Sequence, residues 1–221
     1  MGFDYTYDHK NLLLTELSFW EDWFKTQGGK WNGDYLNRTN NNSEIDKNCW
    51  FMSDVSIDDK ILDVGCGPIP KYGFKLNGVK LNIIGTDPLA DRFNKLLEKY
   101  TPDVEFRGMC VSGENLLDSF SDAEFDKVFS INAIDHSHNP ILCIQNMIKV
   151  CKKTGIVKIN VYKNEGKHER YHGLHKWNFT VERGKLKLWN CDGNAFIEDH
   201  IDCQDIQSNL NGRSVNIQIK P

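Results

Sequence analysis

No stretch of the 221 residues stays apolar over the roughly 18 positions that a membrane-crossing helix needs. Residues 2–10 are polar and aromatic, without the charged-then-apolar pattern of a secretory leader. No membrane contact is expected, and a cytoplasmic location is. A basic excess is also missing, since 27 Lys and Arg stand against 31 Asp and Glu for a net charge of −4. Chains that live off phosphate contacts carry the opposite balance, so no nucleic-acid partner is expected. The seven cysteines are odd in number, scattered, and never form a C-x-x-C pair. They suggest neither a disulfide framework nor a zinc site, and the expected metal content is none. No internal repeat is visible. What remains is an ordinary composition, 39% hydrophobic and 26% charged, on a length that suits one domain with its own core.

Residues 1–58, rich in Trp, Asn and charge, read as an N-terminal helical cap or lid, and residues 59–221 as the main domain. Within the cap, Leu17, Trp20, Trp23 and Phe24 recur at helical spacing over 12–26, and Gly28-Gly29 ends that helix. The following aromatic and polar stretch makes Tyr35 and Arg38 candidate substrate contacts. A helix that merely packs on the domain is the plainer reading.

The main domain alternates short apolar strands with helical patterns. Strands are expected at 60–64 (KILDV), 81–86 (LNIIGT), 104–107, 126–131 (DKVFSI) and 155–161 (GIVKINV). One helix is spaced by Leu89, Phe93, Leu96, Leu97 and Tyr100. Another starts at Asn139-Pro140, a cap followed by proline in the first turn. Such alternation implies a parallel sheet with helices on both faces and ligands beyond the carboxyl ends of its strands. A hairpin is expected around 182–185, with the last two strands at 195–202 and 214–219.

The most informative segment is Asp63-Val64-Gly65-Cys66-Gly67, a buried strand running into a Gly-x-Gly turn where no Cβ keeps a ligand from the backbone. A second acid, Asp87, ends the next strand, placed to accept hydrogen bonds from both hydroxyls of a ribose. Taken singly, Asp63 caps a turn and Asp87 caps the helix that follows Pro88. A nicotinamide dinucleotide is disfavoured because the third glycine of G-x-G-x-x-G is replaced by a run containing Pro68, Ile69 and Pro70.

Over 59–162 the sequence resembles the class I S-adenosylmethionine (SAM) dependent methyltransferases. Their D-x-G-x-G stands at 63–67 and their second-strand acid at Asp87. Their adenine-side segment stands at Ser112-Gly113-Glu114-Asn115-Leu116, with Ser112 where an acid is usual. Their fourth-strand pattern runs from Phe125-Asp126 to Asn132 and on to Asp135-His136. The resemblance implies a Rossmann-like, mostly parallel seven-stranded sheet with its last strand antiparallel. It also implies SAM as cofactor, S-adenosylhomocysteine as product, and cofactor contacts from Asp63, Gly65, Cys66, Gly67, Asp87, Pro88, Glu114, Asn115 and Asn132. A SAM-binding partner module without catalysis is the alternative from another class, and an NAD-dependent Rossmann enzyme is a more distant one.

The fourth-strand end, Asn132-Ala133-Ile134-Asp135, is not the Asn/Asp-Pro-Pro-aromatic segment of DNA amino-methylating enzymes. No Pro-Cys nucleophile occurs, and no acidic metal cluster of the catechol type is found. Transfer to oxygen or nitrogen of a small molecule remains. The segment 163–176 holds four Lys or Arg, two Glu and three His in a net acidic chain. An anionic acceptor such as a sugar nucleotide, phosphorylated metabolite or carboxylate is therefore expected, held by Lys167, Arg170 and His172. A solvated basic loop is the plain alternative. His136, beside the transferable methyl in the family pattern, is the expected general base, with Asp135 orienting it or acting directly and His175 as a rival.

Overall fold

The computed structural model describes Phe3 and residues 9–221. Helix α1 (His9–Lys25) and the short helix α2 (Asn32–Arg38) come first, then β1 (Lys60–Val64), a two-residue hairpin of β2 (Lys75–Leu76) and β3 (Val79–Lys80), β4 (Asn82–Thr86) and α3 (Ala90–Tyr100). Next are β5 (Phe125–Ile131), α4 (Pro140–Val150), β6 (Cys151–Tyr162) and the single-turn α5 (Glu165–His168). The chain closes with β7 (Asn178–Glu182), β8 (Lys185–Trp189), β9 (Asn194–Phe196), β10 (Asp205–Asn211) and β11 (Ser214–Lys220).

The main sheet has the order β10-β11-β6-β5-β1-β4. Strands β4, β1, β5 and β6 run parallel, and β11 lies antiparallel between β6 and β10. Alternation along the parallel strands divides two cores. Leu62, Val128 and Val157 pack with Ile144 and Ile148 of α4 on one face. Ile61 and Phe129 face the other way, onto Ile45, Phe51, Met52 and Val55. Phe93, Leu96 and Leu97 of α3 pack there with Trp23 and Phe24 of α1. Within the 45–55 side, the ammonium of Lys158 on β6, a residue only 1% exposed, reaches the Asp54 carboxylate (2.6 Å) and the Trp50 carbonyl (2.7 Å).

Local signals account for the ends of the helices. Asn139 Oδ1 accepts from Leu142 N at 3.1 Å, and Pro140 fills the first turn of α4, where its missing N–H costs nothing. The amide of Gly28, at φ 82°, bonds back to the Trp23 carbonyl and stops α1.

Two expectations are corrected. The sheet has six strands, not seven, because 104–107 pairs with nothing in it. That segment's backbone is satisfied by side chains instead: Glu105 N donates to Asn41 Oδ1, and Arg107 donates to the Val104 and Phe106 carbonyls. Only Met109 bridges to β4, at Thr86. The strand expected at 195–202 is also absent. Residues 194–196 pair with β8, Ile197 turns into the core, and Glu198 accepts from Leu186 N. The true partner of β11 is β10, joined to it through Gly212-Arg213, with Gly212 at φ 59°. The β7–β8 turn at Arg183-Gly184, both at positive φ, is the type I′ hairpin that suits two twisted strands.

Candidate active site

The carboxyl ends of β1, β4, β5 and β6 open into one cavity of about 430 Å³. On the sheet side its wall begins with the glycine turn. Gly65 and Gly67 have φ of 70° and 62°, a region costly to residues with a Cβ. A Cβ on Gly65 would stand 2.4 Å from that of Ala133, which follows β5. The amides of Gly65 and Cys66 both donate to the Thr86 carbonyl, at 2.8 and 3.0 Å, and bind the turn to the end of β4.

Asp87 completes that wall. Its carboxylate accepts from Gly67 N at 3.1 Å and Leu89 N at 2.8 Å. A carboxylate offers about four lone-pair sites, so two remain for a ligand. Burial pushes Asp87 up to about 6 against the pull of these amides. Burial likewise lifts Asp63 to about 7, opposed by Tyr72 and Arg38. Cys66 lines the cavity, but burial raises its thiol well above the ordinary range and the sulfur donates to its neighbour's carbonyl (Gly67), so it is not an ionised nucleophile. Pro88, Ser112, Gly113 and Glu114 continue the lining, with Glu114 Oε1 accepting from Asn139 N. Asn132, at φ 51°, lines it too, and its Oδ1 is buried without a hydrogen-bond partner among the described residues. Asn115 falls outside: it is exposed and bonded to Ser112 and Asp118 within its own turn.

The opposite wall comes from α1 and α2, and sequence reasoning did not assign it residue by residue. Glu16, Phe19 and Trp20 of α1, Trp31, and Asp34 of α2 all line the cavity. The Trp20 ring lies 3.3 Å from where a Gly67 Cβ would be, packs edge-on to Trp23 and Phe93, and carries the Arg38 guanidinium at 5.3 Å from its centroid. Arg38 is in the lining, but it pairs with Asp34 at 2.9 Å and donates to the Ile69 carbonyl. Tyr35 is not in the lining. One helical step from Asp34 turns it away, and it is buried with its ring 4.9 Å from Trp23.

The third wall carries His136, with Asp135 and His175 clustered behind it, outside the lining. Asp135 and His136 sit on the turn after β5, and His175 precedes β7, 39 residues further on. His136 Nε2 and His175 Nδ1 share a hydrogen bond of 3.0 Å, and each lies close to Asp135 Oδ2, at 3.5 and 3.6 Å. Asp135 is wholly buried, and neither carboxylate oxygen has a hydrogen-bond partner among the described residues. Against the desolvation that raises it, the two imidazoles hold Asp135 below the ordinary carboxylate range. Against its own desolvation, the pull of Asp135 raises His175. The two segments are tied together by Trp177, fully buried, whose indole N–H donates to the Ser137 carbonyl at 2.9 Å. His9 of α1 donates to the His136 carbonyl at 2.8 Å.

Of the segment 163–176, Leu174 lines the cavity, and the His175 side chain stands behind it, bonded to His136. Gly166 N bonds to the Trp177 carbonyl and Lys167 N to Asn178 Oδ1, which turns the outer edge of the loop to solvent. Lys167, Arg170 and His172 are exposed and lie outside the cavity lining. The lining itself carries five carboxylates against two cations, Arg38 and Lys71. The expected cationic contacts to an anionic acceptor are therefore not at the cavity.

The family model described as a methyltransferase domain matches residues 62–159. No curated protein matches the sequence. Among solved structures, one similar chain is a SAM-dependent methyltransferase from Thermotoga maritima, a possible histamine N-methyltransferase. It is 12% identical, with 96% of this chain and 99% of that chain covered at a TM-score of 0.53. Another is the 1,6-didemethyltoxoflavin-N1-methyltransferase of Burkholderia thailandensis, solved with its acceptor and S-adenosylhomocysteine. It is 10% identical over 100% of this chain and 92% of that one, also at 0.53. A third, the CurJ carbon methyltransferase, is 14% identical over 76% of this chain and 50% of its own, at 0.53. These likenesses speak for the fold, and the family match over the motif-bearing strands speaks for the chemistry. Residues 62–159 thus match a methyltransferase domain, and the fold is one shared with SAM-dependent methyltransferases.

Proposed function

We propose that the protein transfers a methyl group from SAM to an oxygen or nitrogen of a small organic acceptor held between the aromatic face of α1 and the Asp135–His136–His175 cluster. The observation that carries this is the one cavity that runs from the glycine turn and Asp87 to His136, the edge of that cluster, roofed by α1. The residues present fit the cofactor. Asp87 keeps lone pairs for two ribose hydroxyls, Asn132 Oδ1 is buried and awaits a donor, and the glycine turn admits a ligand where a Cβ would intrude. Asp63, Gly65, Cys66, Gly67, Pro88 and Glu114 complete the proposed cradle, with Asn115 supporting it through its turn.

Bound there, SAM supplies a methyl on a sulfonium, open to in-line displacement. The chain's own part is then to orient the acceptor lone pair and exclude water, which in such reactions supplies much of the rate. Phe19, Trp20 and Trp31 offer flat apolar faces for that purpose. Methyl-labelled SAM and a panel of phenols, amines, hydroxy acids and sugar nucleotides test the reading. Labelled product and S-adenosylhomocysteine should appear with at least one acceptor. Tight S-adenosylhomocysteine binding with no turnover across the panel would instead favour a non-catalytic SAM-binding module.

A further inference from the structure

We infer that Asp135, His136 and His175 form a binding site for one divalent metal ion of the zinc and cobalt class, at the acceptor end of the cavity. The inference rests on the methyl-transfer reading only for its role, not for the site.

The geometry points to it in two independent ways. The first is the spacing of the three candidate ligand atoms. His136 Nε2, His175 Nδ1 and Asp135 Oδ2 are separated by 3.0, 3.5 and 3.6 Å. Ligands about 2.0–2.1 Å from one ion have such separations when they subtend roughly 95–125° at it, which brackets three corners of a tetrahedron. The second is the carboxylate. A hydrogen bond between the imidazoles explains one of the three distances and leaves Asp135 beside both rings, at 3.5 and 3.6 Å, without a hydrogen bond among the described residues. Both its oxygens are buried. An ionised carboxylate in that state is costly unless a cation or donor completes it.

The ligand types narrow the ion. Two imidazoles and one carboxylate suit Zn²⁺, Co²⁺ or a similar borderline ion, whereas Mg²⁺ and Ca²⁺ favour all-oxygen shells. The Trp177–Ser137 hydrogen bond holds the two ligand-bearing segments in register, which is what a site assembled from distant stretches of chain needs. His136 also lines the cavity, so the ion would lie at its edge with room for an outside ligand. An acceptor hydroxyl is the natural one. The ion would polarise it, its proton would pass to solvent, and its oxygen would form the new O–CH₃ bond. The methyl–sulfur bond would break, with its electron pair staying on sulfur as the thioether of S-adenosylhomocysteine.

The test uses the full chain, stripped with a chelator and titrated with Co²⁺ while its visible absorption is followed. One equivalent should bind with the strong d–d bands of a four- or five-coordinate site. H175A should weaken Co²⁺ binding at least 100-fold while S-adenosylhomocysteine affinity stays within about threefold. Should H175A fail to fold, the wild-type cobalt protein still decides, because two coordinated histidines give paramagnetically shifted ring N–H signals. Wild-type protein that binds S-adenosylhomocysteine but takes up no stoichiometric Co²⁺, or whose Co²⁺ binding survives H175A unchanged, overturns the site and leaves the methyltransferase reading standing. Co²⁺ bound at the cluster without S-adenosylhomocysteine binding would have the opposite meaning.

Discussion

On the sheet side of the cavity, Gly65, Gly67 and Asp87 are locked by amide hydrogen bonds to Thr86 and to one another. On the helix side, Phe19 and Trp31 are 45% and 47% exposed, and Trp20 is held by ring contacts alone apart from one bond to Glu16. The first wall is fixed by backbone geometry that few substitutions respect. The second is fixed by aromatic packing, which tolerates re-packing at a modest cost. A cofactor that does not vary suits the first, and an acceptor particular to one enzyme suits the second.

The sharpest way to break this contrast is Asp87→Ala. Loss of a charged acceptor to a ribose removes about 1.5–3 kcal/mol, so S-adenosylhomocysteine affinity should fall roughly 10- to 100-fold in calorimetry. An unchanged affinity would remove the sheet wall from the cofactor site.

Asp63→Asn asks what the fixed wall costs. Burial raises Asp63 from an ordinary 3.8 to about 7, so the folded chain holds this proton more tightly than the unfolded one. The resulting contribution is complete below pH 3.8 and is lost as pH climbs through 7, a swing of at most roughly 4 kcal/mol. The variant should unfold at higher urea than wild type at pH 8, and the gap should close toward pH 4. A wild-type advantage at pH 8 would mean that Asp63 is better paired than its burial implies.

A Gly67→Ala, Trp20→Ala double-mutant cycle measures how far the walls press on each other. The 3.3 Å approach predicts that Gly67→Ala hurts less once the indole is gone, with a coupling on the order of 1 kcal/mol in unfolding experiments. Strain from the φ of 62° should persist in both backgrounds. The smallest effect belongs to Lys167→Glu with Arg170→Glu. Both side chains are exposed outside the lining, so acceptor KM should move less than about twofold, within the ordinary range for remote surface charges. A large rise would restore the basic loop as an anion contact.

What was legible in the sequence divides along the same line. Strands β1, β4 and β5 announce themselves by short β-branched runs, and Asp63, Gly65, Gly67 and Asp87 by their place at strand ends. These are local patterns. The strand expected at 104–107 failed because Asn41, more than 60 residues away, supplies its hydrogen bond. Asn211-Gly212 is a local hairpin signal, and it marks 205–211, not 195–202, as the penultimate strand. The helix and histidine walls of the cavity were harder still. Trp20 reads as a core residue by spacing alone, and only the fold sets its ring over Gly67. No pattern pairs His175 with Asp135, because their meeting depends on how the 163–177 loop is anchored.

Lys158 carries a last consequence, for where the protein ends as a folding unit. Its ammonium sits beneath the sheet, held by Asp54 and Trp50 from a stretch that sequence composition assigned to a separate cap. Excising residues 1–58 would leave that charge buried without partners, at a cost of several kcal/mol, and would uncover Ile61 and Phe129 as well. Residues 45–55 are thus part of the core on one face of the sheet, and a shortened version starting at β1 should not fold.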